Sequence, residues 1–129
     1  MYGVLHNTKT MKIFMVDDNQ DITKMLSRYF SLKGHQCIVS NDGQNALAIL
    51  LNQKFDVVLL DIAMPEFSGI DIIDKLASSG KIKDQKIILF TASSPPPEEV
   101  DKMLKKGAHS CLKKPMDPDE ILQYLENLK

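Results

Sequence analysis

Asp17 and Asp18 follow the apolar run Lys12-Ile13-Phe14-Met15-Val16, and Asp61 follows Val57-Val58-Leu59-Leu60. Thr91 ends Ile87-Ile88-Leu89-Phe90, and Lys114 stands before Pro115 after a last strand-like run. If these runs are strands of one open α/β sheet, three carboxylates, a hydroxyl and an ammonium meet at its carboxyl edge, where such sheets bind ligands. Three carboxylates there repel one another unless a cation lies between them, and hard oxygen donors suit magnesium. A carboxylate can also attack phosphorus and carry the phosphoryl group as an acyl phosphate. Asp61 is the best nucleophile: it ends the most central run, and the loop behind it, Ile62-Ala63-Met64-Pro65, is short and braced by proline. Asp17 and Asp18 would hold the magnesium, with the peptide carbonyl of Ala63 as a further ligand. Lys114 would pair with phosphoryl oxygens as a compact charge, and Thr91 would donate a hydrogen bond to one of them. Such groups stabilise an in-line transfer in which positioning and electrostatics supply most of the catalysis.

Each piece alone has a plainer explanation. Asp is a favoured helix cap, a Lys-Pro pair is commonly a solvated loop, and a threonine at a strand end is commonly structural. The joint order Asp-Asp, Asp, Thr, Lys-Pro on runs one, three, four and five is what packing alone does not explain. Side chains alternate along a strand, so Lys113 and Lys114 point opposite ways; the position before proline favours Lys114, leaving Lys113 as a solvated neighbour.

The elements that must position these groups are legible as apolar runs alternating with helical periodicity. The strands expected are Lys12–Val16, Gln36–Ser40, Val57–Asp61, Lys86–Thr91 and Ser110–Lys113. The third and fourth are nearly all apolar, as in strands covered on both faces of a parallel sheet. Ile22, Met25, Leu26, Tyr29 and Leu32 mark a first helix, stopped by Gly34. Ala46, Leu47, Leu50 and Leu51 mark a second. Ile70, Ile73, Leu76 and Ala77 mark a third, capped by Ser68. Val100, Met103 and Leu104 mark a fourth, ended by Gly107, and Ile121, Leu122, Leu125 and Leu128 a fifth, begun by Asp117 or Pro118. Five βα units in a row predict a doubly wound five-stranded parallel sheet with helices on both faces and right-handed crossovers. Pro95-Pro96-Pro97 reads as a stiff connection into the fourth helix.

The chain has 129 residues, one domain with room for a full core. Sixteen Lys and Arg against 17 Asp and Glu give a net charge of −1, which offers no electrostatic reason to expect direct nucleic-acid or membrane binding. No apolar stretch reaches the length of a membrane span. Residues 1–10 read as an N-terminal extension with no secretory character, and a cytoplasmic location is expected. Cys37 and Cys111 lie in different runs without metal-ligand spacing and read as two buried, reduced thiols.

The arrangement resembles the receiver domain of two-component response regulators, including the single-domain chemotaxis regulator. The resemblance covers residues 11–129. It implies that Asp17 and Asp18 are the magnesium-binding acidic pair, Asp61 the phosphorylated aspartate, Thr91-Ala92 the switch threonine and its small neighbour, and Lys114-Pro115 the fifth-strand signature. Met64-Pro65-Glu66-Phe67-Ser68-Gly69 fits the Met-Pro-x-x-x-Gly turn, and Gly107-Ala108 fits the turn before the fifth strand. It further implies a flavodoxin-like strand order 2-1-3-4-5, a cis Lys114–Pro115 bond, and phosphoryl transfer from a sensor histidine kinase or histidine phosphotransfer protein. That order puts the two cysteines on opposite edge strands, too far apart for a disulfide. Catalysis would be confined to the protein's own phosphorylation and dephosphorylation. Should nothing follow Lys129, output to a downstream protein must run through protein–protein contacts. The signalling surface would be the fourth helix, fifth strand and fifth helix. Where receivers often carry Tyr or Phe, four residues after Gly107, this chain has Cys111, so the shift is expected to travel through the 93–97 loop. A haloacid-dehalogenase-type phosphatase would need an aspartate where Ala63 stands. A dinucleotide-binding module would need glycines where Asp17-Asp18-Asn19-Gln20 stand. A pseudo-receiver would have lost the carboxylates, Thr91 or Lys114.

Overall fold

A computed structural model of the chain describes residues 10–92 and 95–128. The expected extension therefore lies outside the described residues except for Thr10. Alternating runs become five parallel strands, β1 (Lys12–Val16), β2 (Gln36–Ser40), β3 (Val57–Leu60), β4 (Ile87–Thr91) and β5 (Ser110–Lys113), in order β2-β1-β3-β4-β5. The helices are α1 (Gln20–Leu32), α2 (Gly43–Asn52), α3 (Gly69–Ser78), α4 (Pro97–Lys106) and α5 (Pro118–Glu126). A short 3-10 turn, Ile82–Asp84, precedes β4 and has no counterpart in the sequence expectations.

Strand alternation sorts the core into two layers. Phe14, Val16, Val58, Leu60, Ile87 and Leu89 face Ala46 and Leu50 of α2, Ile72, Ile73 and Leu76 of α3, and Met103 of α4. Ile13, Met15, Val57, Leu59, Ile88 and Phe90 face Leu26 and Phe30 of α1 and Ile121, Leu122 and Leu125 of α5. Every residue of β3 and β4 is buried, as their apolar composition requires.

Local chemistry sets the helix starts. The Asn19 side chain accepts from the N–H groups of Asp21 and Ile22, and Asp42 caps α2 in the same way. Ser68 and Asp71 form the reciprocal capping box of α3. Pro97 and Pro118 occupy the first turns of α4 and α5, where their missing N–H costs nothing. β3 stops at Leu60 and β4 begins at Ile87, each one residue inside the expected span.

The cysteine expectation needs one correction. Both thiols are free, but Cys37 is half-buried and Cys111 is exposed. β5 is an edge strand, and its alternate positions Cys111 and Lys113 are left open to solvent. Lys113 is thus the solvated neighbour expected.

A buried histidine ties the opposite edge together. His35 Nδ1 accepts from the Met11 N–H at 3.0 Å, while its Nε2 lies 3.2 Å from a Glu126 carboxylate oxygen. That pairing sets the proton on Nε2 and joins the entry to β1 with the end of α5.

Candidate functional site

The sheet register brings the expected residues together. The Asp17 N–H donates to Ser40 O at 3.1 Å, and the Asp61 N–H donates to Val16 O at 2.9 Å. Neighbouring strands therefore release Asp17 and Asp61 side by side at the carboxyl edge. Across the sheet, the Lys114 N–H donates to Thr91 O at 2.9 Å, and the Lys114–Pro115 peptide is cis. Thr91 is buried at the end of β4.

Side-chain contacts define a small, charged cluster. Asp17 is 2% exposed; its Oδ1 accepts from the Asn19 N–H at 2.9 Å and its Oδ2 from Lys114 Nζ at 2.5 Å. The same Nζ lies 3.8 Å from Asp61 Oδ2 and 5.2 Å from the Phe90 ring centroid. Asp61 is 5% exposed, and its Oδ1 accepts from the Ala63 N–H at 3.2 Å. Asp18 is exposed, and among the described residues its carboxylate makes no hydrogen bond or ion pair. One oxygen from each of Asp17, Asp18 and Asp61 lies within 4.8 Å of the others. Because Asn19 caps α1, neither member of the acidic pair is consumed as a helix cap.

The electrostatics follow from that crowding. Burial pushes the Asp61 carboxyl from 3.8 up to about 6; the Ala63 N–H pulls it down, Asp17 raises it, Lys114 lowers it and Asp18 raises it. Among the described residues one ammonium, Lys114, pairs with two of the three clustered carboxylates, so the cluster carries surplus negative charge when all are ionised. An all-oxygen, anionic donor set of this kind fits a hard divalent cation such as magnesium. Lys114 lies closer to Asp17 than to Asp61, which leaves Asp61 Oδ2 with a longer, weaker pairing.

Two supporting features add to the sequence reading, which names Gly69 only as part of the Met-Pro-x-x-x-Gly turn and does not single out Asn41. A Cβ at Gly69 would lie 2.6 Å from the Asp61 carbonyl oxygen and 2.7 Å from Ile62 Cα. Only glycine lets α3 start so close beneath the acidic loop. Asn41, just past β2, donates from Nδ2 to Asp17 O at 2.7 Å and to Thr23 Oγ1 at 3.0 Å. The signal for Asn41 lay only in the topology, because order 2-1 sets the end of β2 beside the end of β1. Ser93 and Ser94, in the loop expected to carry the switch, lie outside the described residues.

Fold and site together define a doubly wound α/β protein with a cluster of three carboxylates, able to hold a hard cation, at the carboxyl edge of its sheet. The family model described as the response regulator receiver domain matches residues 13–126, and the chain belongs to that family, the phosphorylatable switches of two-component signalling. A transcriptional regulatory protein CpxR homolog of Haemophilus influenzae is 32% identical over 117 residues, 89% of this chain and 48% of that protein. Response regulator SaeR of Staphylococcus epidermidis is 36% identical over 118 residues, 90% of this chain and 49% of that protein. The chain spans about half the length of the curated relatives it matches. Among solved structures, the chemotaxis protein CheY4 of Vibrio cholerae aligns with a TM-score of 0.81 at 27% identity, covering 94% of this chain and 100% of that one. Among the described residues no helix is long and apolar enough to cross a membrane.

Proposed function

We propose that this receiver, residues 11–129 behind an extension at 1–10, takes a phosphoryl group onto Asp61 from a sensor histidine kinase or histidine phosphotransfer protein. An Asp61 carboxylate oxygen forms the new O–P bond as the P–N bond of a phosphohistidine breaks, and the electron pair leaves on the imidazole nitrogen. Asp18, Asp61 and the Ala63 carbonyl would hold a magnesium ion, with Asp17 acting mainly through water, and the ion would supply charge neutralisation between nucleophile and phosphoryl oxygens. Lys114 leaves Asp17 to pair with a phosphoryl oxygen, and the Thr91 hydroxyl donates to another. Dephosphorylation is a separate hydrolysis: water attacks phosphorus, the Asp61 O–P bond breaks with its electron pair returning to the carboxylate, and inorganic phosphate leaves carrying the water oxygen, whose proton passes to phosphate or solvent. The chain acts on no other substrate in this reading. Thr91 feeds the connection into α4 and Lys114 the turn into α5, so the phosphorylated state is presented to a downstream protein on α4, β5 and α5, in the cytoplasm.

The observation that carries the reading is the meeting of Asp17, Asp18 and Asp61 oxygens within 4.8 Å, with Lys114 Nζ 2.5 Å from one carboxylate and 3.8 Å from another. Acetyl phosphate with magnesium should add one phosphoryl group that hydroxylamine removes. Asp61→Asn should remain unlabelled, and full labelling of that variant would overturn the assignment.

A further inference from the structure

Asp17 and Asp18 are held in different ways. The Asp17 carboxylate has two donors of its own, Asn19 N–H and Lys114. The Asp18 carboxylate has none among the described residues, yet it stands within 4.8 Å of oxygens from both other aspartates. Its position therefore depends on the peptide that joins it to Asp17. That peptide lies beyond β1, and its carbonyl accepts from Asn41 Nδ2 at 2.7 Å.

We propose that Asn41 is a positioning residue for the cation site, acting through the Asp17–Asp18 peptide; the inference rests on the reading of these aspartates as magnesium ligands. The alternative is that Asn41 serves its own turn. The hydrogen bonds argue otherwise. Both Nδ2 contacts reach residues 24 and 18 positions away, one on the acidic loop and one on α1. The local turn is made by its neighbours instead: Ser40 Oγ donates to Asp42 O at 3.0 Å, and Asp42 caps α2. Thr23 completes the clamp. It is 2% exposed, its Oγ1 accepts from Asn41, and that hydroxyl donates to Gln20 O at 3.1 Å. The amide of Asn41 thus fixes the acidic loop against the first turn of α1, which sets the direction in which Asp18 leaves the backbone. Outer-shell partners of this kind act on metal affinity by orienting the ligands.

The test is magnesium binding by calorimetry alongside phosphorylation by acetyl phosphate across a magnesium titration. For Asn41→Ala the magnesium dissociation constant should rise about 10- to 100-fold, the range seen when an outer-shell partner is removed. The maximal labelling rate should recover toward the parent value at saturating magnesium, since Asp61, Thr91 and Lys114 are untouched. Thr23→Val, which removes the second anchor of the amide without changing its shape, should weaken binding in the same direction, while Thr23→Ser should bind as the parent does. The valine variant also reads the clamp should the alanine variant fail to fold. Parent-like magnesium affinity in folded Asn41→Ala, or a rate deficit that saturating magnesium does not relieve, would overturn the proposal. Failure of the parent protein itself to bind magnesium would instead overturn the reading of the acidic cluster.

Discussion

Replacing Asp61 by Asn should stabilise the metal-free protein. The substitution keeps an Oδ1 acceptor for the Ala63 N–H, which the carboxylate now engages at 3.2 Å, and removes one of three crowded negative charges. Burial, with Asp17 and Asp18 adding to it, lifts this carboxyl from 3.8 to about 6. The folded state therefore binds the proton more tightly than the unfolded chain does, and stability falls as pH rises through the interval between those values. The penalty is absent below about pH 4 and complete above about pH 6. At about 1.4 kcal/mol per pKa unit, the shift corresponds to a ceiling of about 3 kcal/mol. Screening by solvent at the mouth of the site lowers that to about 1–2 kcal/mol. In chelator at about pH 7.5, Asp61→Asn should melt about 4–8 °C above the parent, as expected for a domain of this size. At about pH 4 the two proteins should coincide. Saturating magnesium should erase the gap, because the parent gains binding free energy that the variant lacks. Scanning calorimetry at both pH values, with and without magnesium, makes the measurement. A variant no more stable than the parent at neutral pH, or a gain that persists unchanged in acid, would refute the reasoning.

Lys114→Ala removes the only ammonium that pairs with Asp17 among the described residues, at 2.5 Å, and should cost about 3–5 kcal/mol of metal-free stability at neutral pH, checked by urea denaturation; added magnesium should restore part of it. Glu66 stands at φ 66°, so Glu66→Gly should raise stability by about 1–2 kcal/mol, and an unchanged melting temperature would contradict the strain. Gly69→Ala forces a methyl group to 2.6 Å from the Asp61 carbonyl oxygen and should cost about 1–3 kcal/mol while weakening magnesium binding, seen by thermal melting and calorimetry on one sample.

Sequence legibility followed how local each cause was. β3 and β4 could be read as central because both faces are buried, which forces an almost unbroken apolar run. Ser68 and Gly107 could be read as helix punctuation because capping acts within a few residues. The cluster of Asp17, Asp18, Asp61 and Lys114 could be read because its members sit just past the ends of three strands, β1, β3 and β5, and parallel strands deliver their ends to one edge. What escaped depends on contacts between distant segments. Cys111 is exposed because β5 is an edge strand, which the residue's own neighbours do not encode. Asn41 reaches 24 residues back to Asp17; Gly69 was legible as a turn glycine, but the close approach of the Asp61 carbonyl that requires it was not. The 3-10 turn at Ile82–Asp84 is too short for periodicity to register.

His35 carries a consequence of a different kind. By touching both the Met11 N–H and Glu126, it gathers the entry to the first strand and the exit from the last helix at the amino edge of the sheet. The acidic cluster occupies the carboxyl edge, with the whole length of the strands in between. A fluorescent protein, surface tether or second module fused at either described end therefore departs from the rear of the molecule. The domain should therefore work as a plug-in cassette, immobilised or spliced between other units, with its acidic mouth still facing outward.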